Sequence, residues 1–325
     1  MIYLILSFIF FKESGLIKEW DVLYKSDTAF IFYTLDKDGD RIAEELKLLK
    51  LDLKNKKVKS KVIYRDREGI EKIKLIQHGD DYFLFFTLLR PLKEKRIKKS
   101  KLILKFNKNK ITKLYELKKK NRFINNLDFI FEENGLLCVF DVGSKIYILK
   151  NSEIYEFGLG VNPLFFKNFI LFLKGIPEKM NVLFKTKKEL KLYEEELVFD
   201  KEPVLALEKK ENYVIFLTDK EGDLLPEKVY IMNDKLEYKN IYDSDNHIIV
   251  IPSLYIKKDT TYVLICASEE FMPDKLILVK LSEDKTFIKD ILNKKGIEAK
   301  WLYYPLFILL QKTKTGSLFE LTSVE

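Results

Sequence analysis

Seven short stretches of this 325-residue chain follow one pattern, a run of Ile, Leu, Val, Phe and Tyr bounded by polar turn residues. They are TAFIFYTL from 28, YFLFFTLL from 82, LLCVFDV from 136, NFILFLK from 168, YVIFLTD from 213, YVLICAS from 262 and LFILLQK from 306. Their starts lie 54, 54, 32, 45, 49 and 44 residues apart. Runs this short, rich in β-branched and aromatic residues, are strands rather than helices. One such unit cannot bury its own apolar face, so the units must stack.

Other strands fall into step with these. If each run is strand b of its unit, a strand c follows, such as LKLLKLD at 46, KLILKFN at 101 and KVYIMN at 228. Tight polar turns (KNKK, NKNK, KTKK) then lead to a strand d, such as KVIYR at 61, ITKLYEL at 111 and TFIKDIL at 286. Four strands at this period predict an all-β fold, a seven-bladed β-propeller of four-stranded antiparallel blades. The seventh unit lacks a strand d, and the N-terminus can supply it. FIFFKESGLIKEWDVLYKSDTAFIFY (8–33) parallels VIYRDREGIEKIKLIQHGDDYFLFF (62–86). Closing the ring with the N-terminal strand also removes an exposed sheet edge. A six-bladed propeller is the alternative. Because stacked blades share one continuous core, residues 1–325 are read as a single domain.

The repeat resembles TolB-like and related β-propeller repeats. The residues that carry the resemblance are FYTLDKDGD…LKLLKLDLKNKKV and FLTDKEGD…KVYIMNDKL. The resemblance covers most of the chain as a loose pattern, and the chain departs from it in having only 12 Gly and few Ser-x-Asp-Gly turns. It implies a propeller and a role in binding.

Composition narrows the chemistry. Hydrophobic residues make up 47% and aromatics 14%, enough for a sizeable core. Cys138 and Cys266 each sit inside an apolar run, so neither a disulfide framework nor a zinc spacing exists. The net charge is +8, but only six of the 58 basic residues are Arg. Sequence-specific nucleic-acid readers lean on bidentate Arg, so such binding is not indicated. A Lys/Glu surface in near balance resembles a thermophile's coat. The apolar run Ile2–Phe11 is too short to span a bilayer. It reads as the closing strand or as a signal segment. No Lys or Arg precedes it, and Lys12-Glu13 stand where a cleavage site would need small residues. Localisation therefore leans to the cytoplasm, with the cell envelope as the alternative if 2–11 are a signal.

Two loops draw attention. LDKDGDRIAEEL (35–46) looks like a calcium loop, but with Asp36 at position 1 the Gly falls at 4 and Lys47 at 12, against the EF-hand order. A second copy, TDKEGDLLPEK (218–228), pairs Asp36 with Asp219, Gly39 with Gly222, Asp40 with Asp223 and Glu44 with Glu227. Both copies join strand b to strand c, which favours a repeated hairpin turn over a weak calcium site. Residues 93–122 hold fourteen Lys or Arg against two acids. In an antiparallel blade the b–c and d–a connections share a face. Lys93, Lys95, Arg96, Lys98 and Lys99 are therefore predicted beside Lys118, Lys119, Lys120 and Arg122 as a partner-binding surface for an anionic macromolecule. The alternative is a solvated loop. Aromatics do not interrupt 93–100, so base stacking is not indicated.

Catalysis finds little support. His78 and His247 stand at strand ends, and no nucleophile elbow, phosphate loop or HExxH motif occurs. Trp20 and Trp301 fall on strand a positions and read as core. The expectation is a non-enzymatic binding scaffold for a macromolecular or anionic partner, without catalytic residues, metal or cofactor. The alternatives are a propeller hydrolase acting on glycans or peptides, and an envelope-associated TolB-like protein. Neither the partner nor the oligomeric state is specified by the sequence.

Overall fold

The computed structural model describes residues 5–324, apart from 41, 79–80, 92–96, 108–109, 118–123, 133–134, 151–152, 168, 175–180, 187–191, 198–201, 203, 211, 224, 245–247, 269–272, 283–284 and 314. All regular elements among these are strands. Strand β1 (Ile5–Glu13) opens the chain. A continuous seven-stranded sheet follows, made of β2 (Leu16–Lys25), β3 (Thr28–Asp36), β4 (Ala43–Asp52), β5 (Lys57–His78), β6 (Asp81–Pro91), β7 (Ile97–Asn107) and β8 (Lys110–Leu117). Three four-stranded antiparallel sheets come next. The first holds β9 (Ile124–Glu132), β10 (Gly135–Val142), β11 (Lys145–Lys150) and β12 (Glu153–Leu159). The second holds β13 (Val161–Phe166), β14 (Phe169–Lys174), β15 (Asn181–Thr186) and β16 (Leu192–Leu197). The third holds β17 (Val204–Lys210), β18 (Tyr213–Thr218), β19 (Lys228–Met232) and β20 (Tyr238–Asp243). A fourth is built from β21 (Ile248–Lys257), β22 (Thr260–Ser268), β23 (Lys275–Ser282) and β24 (Lys285–Asn293). The last combines β25 (Ile297–Tyr303), β26 (Leu306–Thr313) and β27 (Gly316–Val324) with β1 at its edge.

The expected count of seven separate blades, or of six, is corrected. Five blades are four-stranded, and the remaining strands form the seven-stranded sheet. The reason lies in β5. The charged stretch around Gly69 was expected to turn between a strand d and the next strand a. Instead the chain stays extended for 22 residues, pairing with β4 and then with β6. Gly69 (φ 114°) and Lys72 (φ 40°) absorb the bend, and a register break falls between Glu71 and Ile73. The stretch contains no Pro or Asn-Gly to stop the strand.

The closing strand is present. β1 pairs antiparallel with β27 from Ile5↔Val324 to Glu13↔Ser317. Its apolar composition on both faces has a physical account. Phe10 stacks on Phe319 at 6.2 Å, and Phe11 lies 6.5 Å from Tyr33. Phe8 and Ile9 instead face outward.

The chain divides into two compact units, one of residues 1–121, 253–266 and 272–325, the other of 122–252 and 267–271. In the first, apolar side chains fill the space between successive sheets. Ile31, Tyr33 and Leu49 pack with Leu302, Ile308 and Phe319. Phe32 and Leu48 pack with Leu84 and Phe86 of the same seven-stranded sheet. In the second, Val139 and Ile148 meet Phe165 and Phe172, and Leu171 and Leu173 meet Phe216 and Tyr230. Each fully buried Leu or Phe contributes about 1.5–3 kcal/mol. The b strands are buried on both faces, which is why they read as unbroken apolar runs.

Candidate functional site

The register sets which loops share an end of a sheet. Leu16 opposes Asp36 and Ala43 opposes Ile70, so the β3–β4 connection leaves from the end where β2 begins. In the same sheet Pro91 opposes Ile97, and Lys101 opposes Leu117. The end of β6, the start of β7 and the end of β8 thus lie at one end of the sheet. Lys98 and Lys99 lie on β7 opposite Arg90 and Leu89. Lys93, Lys95, Arg96, Lys118, Lys119, Lys120, Arg122 and His247 lie outside the described residues, and His78 closes β5.

The two acidic loops match bond for bond. Asp36 Oδ1 accepts the Gly39 N–H at 2.7 Å, and Asp219 Oδ1 accepts the Gly222 N–H at 2.5 Å. Glu44 Oε2 accepts from Lys37 N (3.3 Å), as Glu227 Oε2 does from Lys220 N (2.7 Å). Asp40 and Asp223 each cap the N–H two residues on. Both glycines have φ 83°, a left-handed value that favours Gly. The acceptor oxygens of Asp36, Asp38, Asp40 and Glu44 lie within 4.8 Å of one another, as do those of Asp219, Asp223 and Glu227. Each of these carboxylates already accepts a loop N–H. Burial, with the neighbouring acids adding to it, raises the pKa of Glu44 and of Glu227.

A second cluster lies at the starts of the strand a segments, and the sequence reading missed it. The β2–β3 register breaks between Ile17 and Trp20, leaving Lys18 and Glu19 opposite Thr34 alone. Thr34 Oγ1 accepts the Glu19 N–H at 3.1 Å. Asp141 does the same for Asn126 N at 2.6 Å, across the matching break between β9 and β10. Bulges re-aim side chains, and these are held by a side chain on strand b. The Glu19 side chain is exposed, yet protein crowds its carboxyl. Desolvation raises its pKa and the Glu298 charge adds to this, while Lys300, Lys312 and Lys72 work against it.

Glu298 itself is clamped. It accepts the Trp20 Nε1–H at 2.8 Å and an ion pair from Lys312. Lys300 reaches Asp21 at 3.3 Å and lies 5.5 Å from the centre of the Trp20 ring. Asp21 Oδ2 in turn accepts the Leu75 N–H at 3.0 Å. The available signal was the repeated Gly-Ile-Glu of 69–71 and 296–298, set at the start of two strand a segments.

Other interior carboxylates are similarly committed. Glu13 accepts from Tyr33 Oη (2.8 Å) and Lys47 Nζ (2.6 Å). Glu45 accepts from Lys37 (2.8 Å) and Arg65 (2.9 Å). Asp128 accepts from Lys209 Nζ and Phe165 N, both at 2.9 Å. Glu202 accepts from Thr218 and Lys228. Both cysteines are buried, and burial pushes each thiol up to about 12, far from a reactive thiolate. Trp20 and Trp301 are core residues, 3% and 6% exposed. No helix among the described residues is long and apolar enough to cross a membrane.

No family model matches the chain, and no curated protein matches its sequence. Solved structures do. The β-propeller domain of the Trilobed protease from Pyrococcus furiosus is 16% identical, with 96% of this chain and 94% of that one covered at a TM-score of 0.54. The polysaccharide lyase Uly1 is 9% identical over 96% and 90%, TM-score 0.54. The AfRom2 CNH domain is 8% identical over 98% of each chain, TM-score 0.50. At these identities the likeness concerns fold alone. The chain is an all-β β-propeller. The Pyrococcus domain has an open velcro topology, whereas here the first strand is bonded to the last.

Proposed function

We propose that the protein is a non-enzymatic binding scaffold, a single propeller domain over residues 1–325. It presents the sheet ends bearing the b–c and d–a connections to an anionic macromolecule. The observation that carries this reading is the commitment of its interior carboxylates. Glu13, Glu45, Asp128, Glu202 and Glu298 each hold a lysine or arginine together with a further donor. Acid–base catalysis needs carboxyls free to exchange protons with a substrate. The contact residues are Lys93, Lys95, Arg96, Lys98, Lys99, Lys118, Lys119, Lys120 and Arg122. The TolB-like repeat pattern supports binding over catalysis. The test is capture of partners from the native host with wild type and with a variant whose 93–99 charges are reversed. Loss of partners is expected, and identical partner sets would sink the reading.

A second reading has one observation in its favour. Glu19 has a raised pKa beside Glu298 and no side-chain partner among the described residues. A hydrolase acting on glycans or peptides would use such an acid. Here Glu19→Gln should abolish turnover in a glycan and peptide panel, and an inactive wild type removes this reading.

A further inference from the structure

Apart from Val62 on β5, the exposed large hydrophobic side chains among the described residues stand on outermost strands. Two of these edges form a complementary pair. On β12, Glu153-Ile154-Tyr155-Glu156 are consecutively exposed, with Ile154 44% and Tyr155 46% accessible. On β24, Lys285-Thr286-Phe287-Ile288 are exposed, followed by half-buried Lys289. Phe287 and Ile288 are 46% and 48% accessible. Each strand is hydrogen-bonded to its sheet on one side only. Proteins usually blunt such edges with Pro, bulges or inward charges. Here β12 bulges at Phe157 and β24 at Ile291, past the exposed segments, and the apolar pairs are bordered by Glu153 and Glu156 on β12 and by Lys285 and Lys289 on β24.

That arrangement sorts the possible pairings. β12 against β12 with Ile154 facing Tyr155 sets Glu153 opposite Glu156, and β24 against β24 with Phe287 facing Phe287 sets Lys285 opposite Lys289. Like charges directly opposite are destabilising, whereas opposite charges and aromatic or β-branched pairs stabilise. An antiparallel β12–β24 pairing puts Ile154 opposite Ile288, Tyr155 opposite Phe287 and Glu153 opposite Lys289. The acid within β24, Asp290, is already paired with Lys275 at 2.9 Å. Glu156 pairs with Lys145 at 2.7 Å, but both side chains are about half exposed, and such a pair is worth little and re-forms cheaply.

We propose that β12 of one molecule adds to the free edge of β24 of a second copy, extending a sheet across the contact. This interaction surface goes beyond the binding-scaffold reading and does not depend on it. Because the two edges differ, the contact is head-to-tail and the pair retains one free edge of each kind, β24 on one copy and β12 on the other, so association continues into chains or closes as a ring.

Sedimentation of the full chain over a wide concentration range tests this. The wild type should associate reversibly. Glu153→Lys and Lys289→Glu should each weaken association by about tenfold or more, the equivalent of ~1.4 kcal/mol or more. The double exchange should restore it. Tyr155→Lys, which no charge exchange repairs, should abolish it. All these positions are on outer strands, so circular dichroism should be unchanged. A wild type that stays monomeric, single variants that associate like wild type, or a double exchange that fails to rescue would each overturn the proposal.

Discussion

The indole Nε1–H of Trp20 donates to Glu298 Oε2 at 2.8 Å, joining β2 to β25 across 278 residues of sequence. Trp20 is 3% exposed, so removing its acceptor strands a buried donor. An unsatisfied buried donor costs about 1–3 kcal/mol. Glu298→Ala should therefore destabilise by about that much. Glu298→Gln should cost less, since its amide oxygen still accepts and only the Lys312 charge contact is lost. Urea unfolding of the two variants measures the difference, and equal losses would mean that the Trp20 bond contributes nothing.

How much of this was legible in sequence depends on the range of the interaction. The b strands were readable because burial on both faces writes an unbroken apolar run, as in YVLICAS. The equivalence of Asp36 with Asp219 was readable because each turn closes within its own loop. The blade count failed at one place, where Tyr64-Arg65-Asp66-Arg67-Glu68 looked like a turn and is a strand interior. There Arg65 and Arg67 face solvent from within a continuous strand, with Asp66 buried between them, so polarity does not mark a reversal. The Trp20–Glu298 and Asp128–Lys209 contacts were illegible because nothing local to either partner specifies the other.

Gly316 offers a test of ring closure. Its φ is 151°, and a Cβ there would lie 2.2 Å from the Glu13 carbonyl oxygen. Gly316→Ala must push the end of β1 off β27, where Glu13 also anchors Lys47 and Tyr33. Overpacking of this kind costs about 1–3 kcal/mol. Thermal unfolding should show the loss, and hydrogen exchange at Phe11–Glu13 should quicken relative to the interior of β26. Unchanged exchange would count against β1 as the closing strand.

Acid dependence should split neighbouring glutamates in sign. Burial disfavours the Glu45 carboxylate, but hydrogen bonds and charge from Lys37 and Arg65 outweigh it and hold its pKa below the ordinary 4.5. Its contribution is present above pH 4.5 and lost as pH falls through the lower folded value. Glu44 and Glu227 are shifted upward instead, so the folded state binds protons more readily than the unfolded chain. Their contribution is fully present below pH 4.5 and lost as pH rises through the folded value. Glu45→Gln should thus destabilise at pH 7 and matter little in strong acid. Glu44→Gln with Glu227→Gln should stabilise at pH 7, the gap closing toward pH 4.5. Denaturant midpoints across this range decide it.

The acidic loops should behave as closed turns. Calcium sites supply about six to eight oxygens, whereas each carboxylate here already accepts a loop N–H. Millimolar calcium should leave the unfolding midpoint where EDTA leaves it. Gly39→Ala and Gly222→Ala, forced to φ 83°, should each cost about 1 kcal/mol from backbone strain alone, because a Cβ there meets nothing within 4 Å. A calcium-dependent rise in the midpoint, lost in Asp36→Asn, would contradict this account.

The two tryptophans provide a matched comparison. Trp301 is 6% exposed and packs among Tyr255, Tyr262, Tyr304 and Phe307, and its Nε1–H finds no acceptor among the described residues. Trp20 is as deeply buried, but its Nε1–H is satisfied. Replacing either by Phe removes similar apolar bulk. At Trp301 the change also removes an orphaned donor, which offsets the lost packing. At Trp20 it breaks a bond to a charged acceptor, worth about 1.5–3 kcal/mol, and leaves Glu298 one donor short. Trp20→Phe should therefore be more destabilising than Trp301→Phe by about 1–3 kcal/mol in urea unfolding. Equal costs would mean that an ordered water satisfies the Trp301 indole, and an ordered water there would be visible as such in a high-resolution crystal structure.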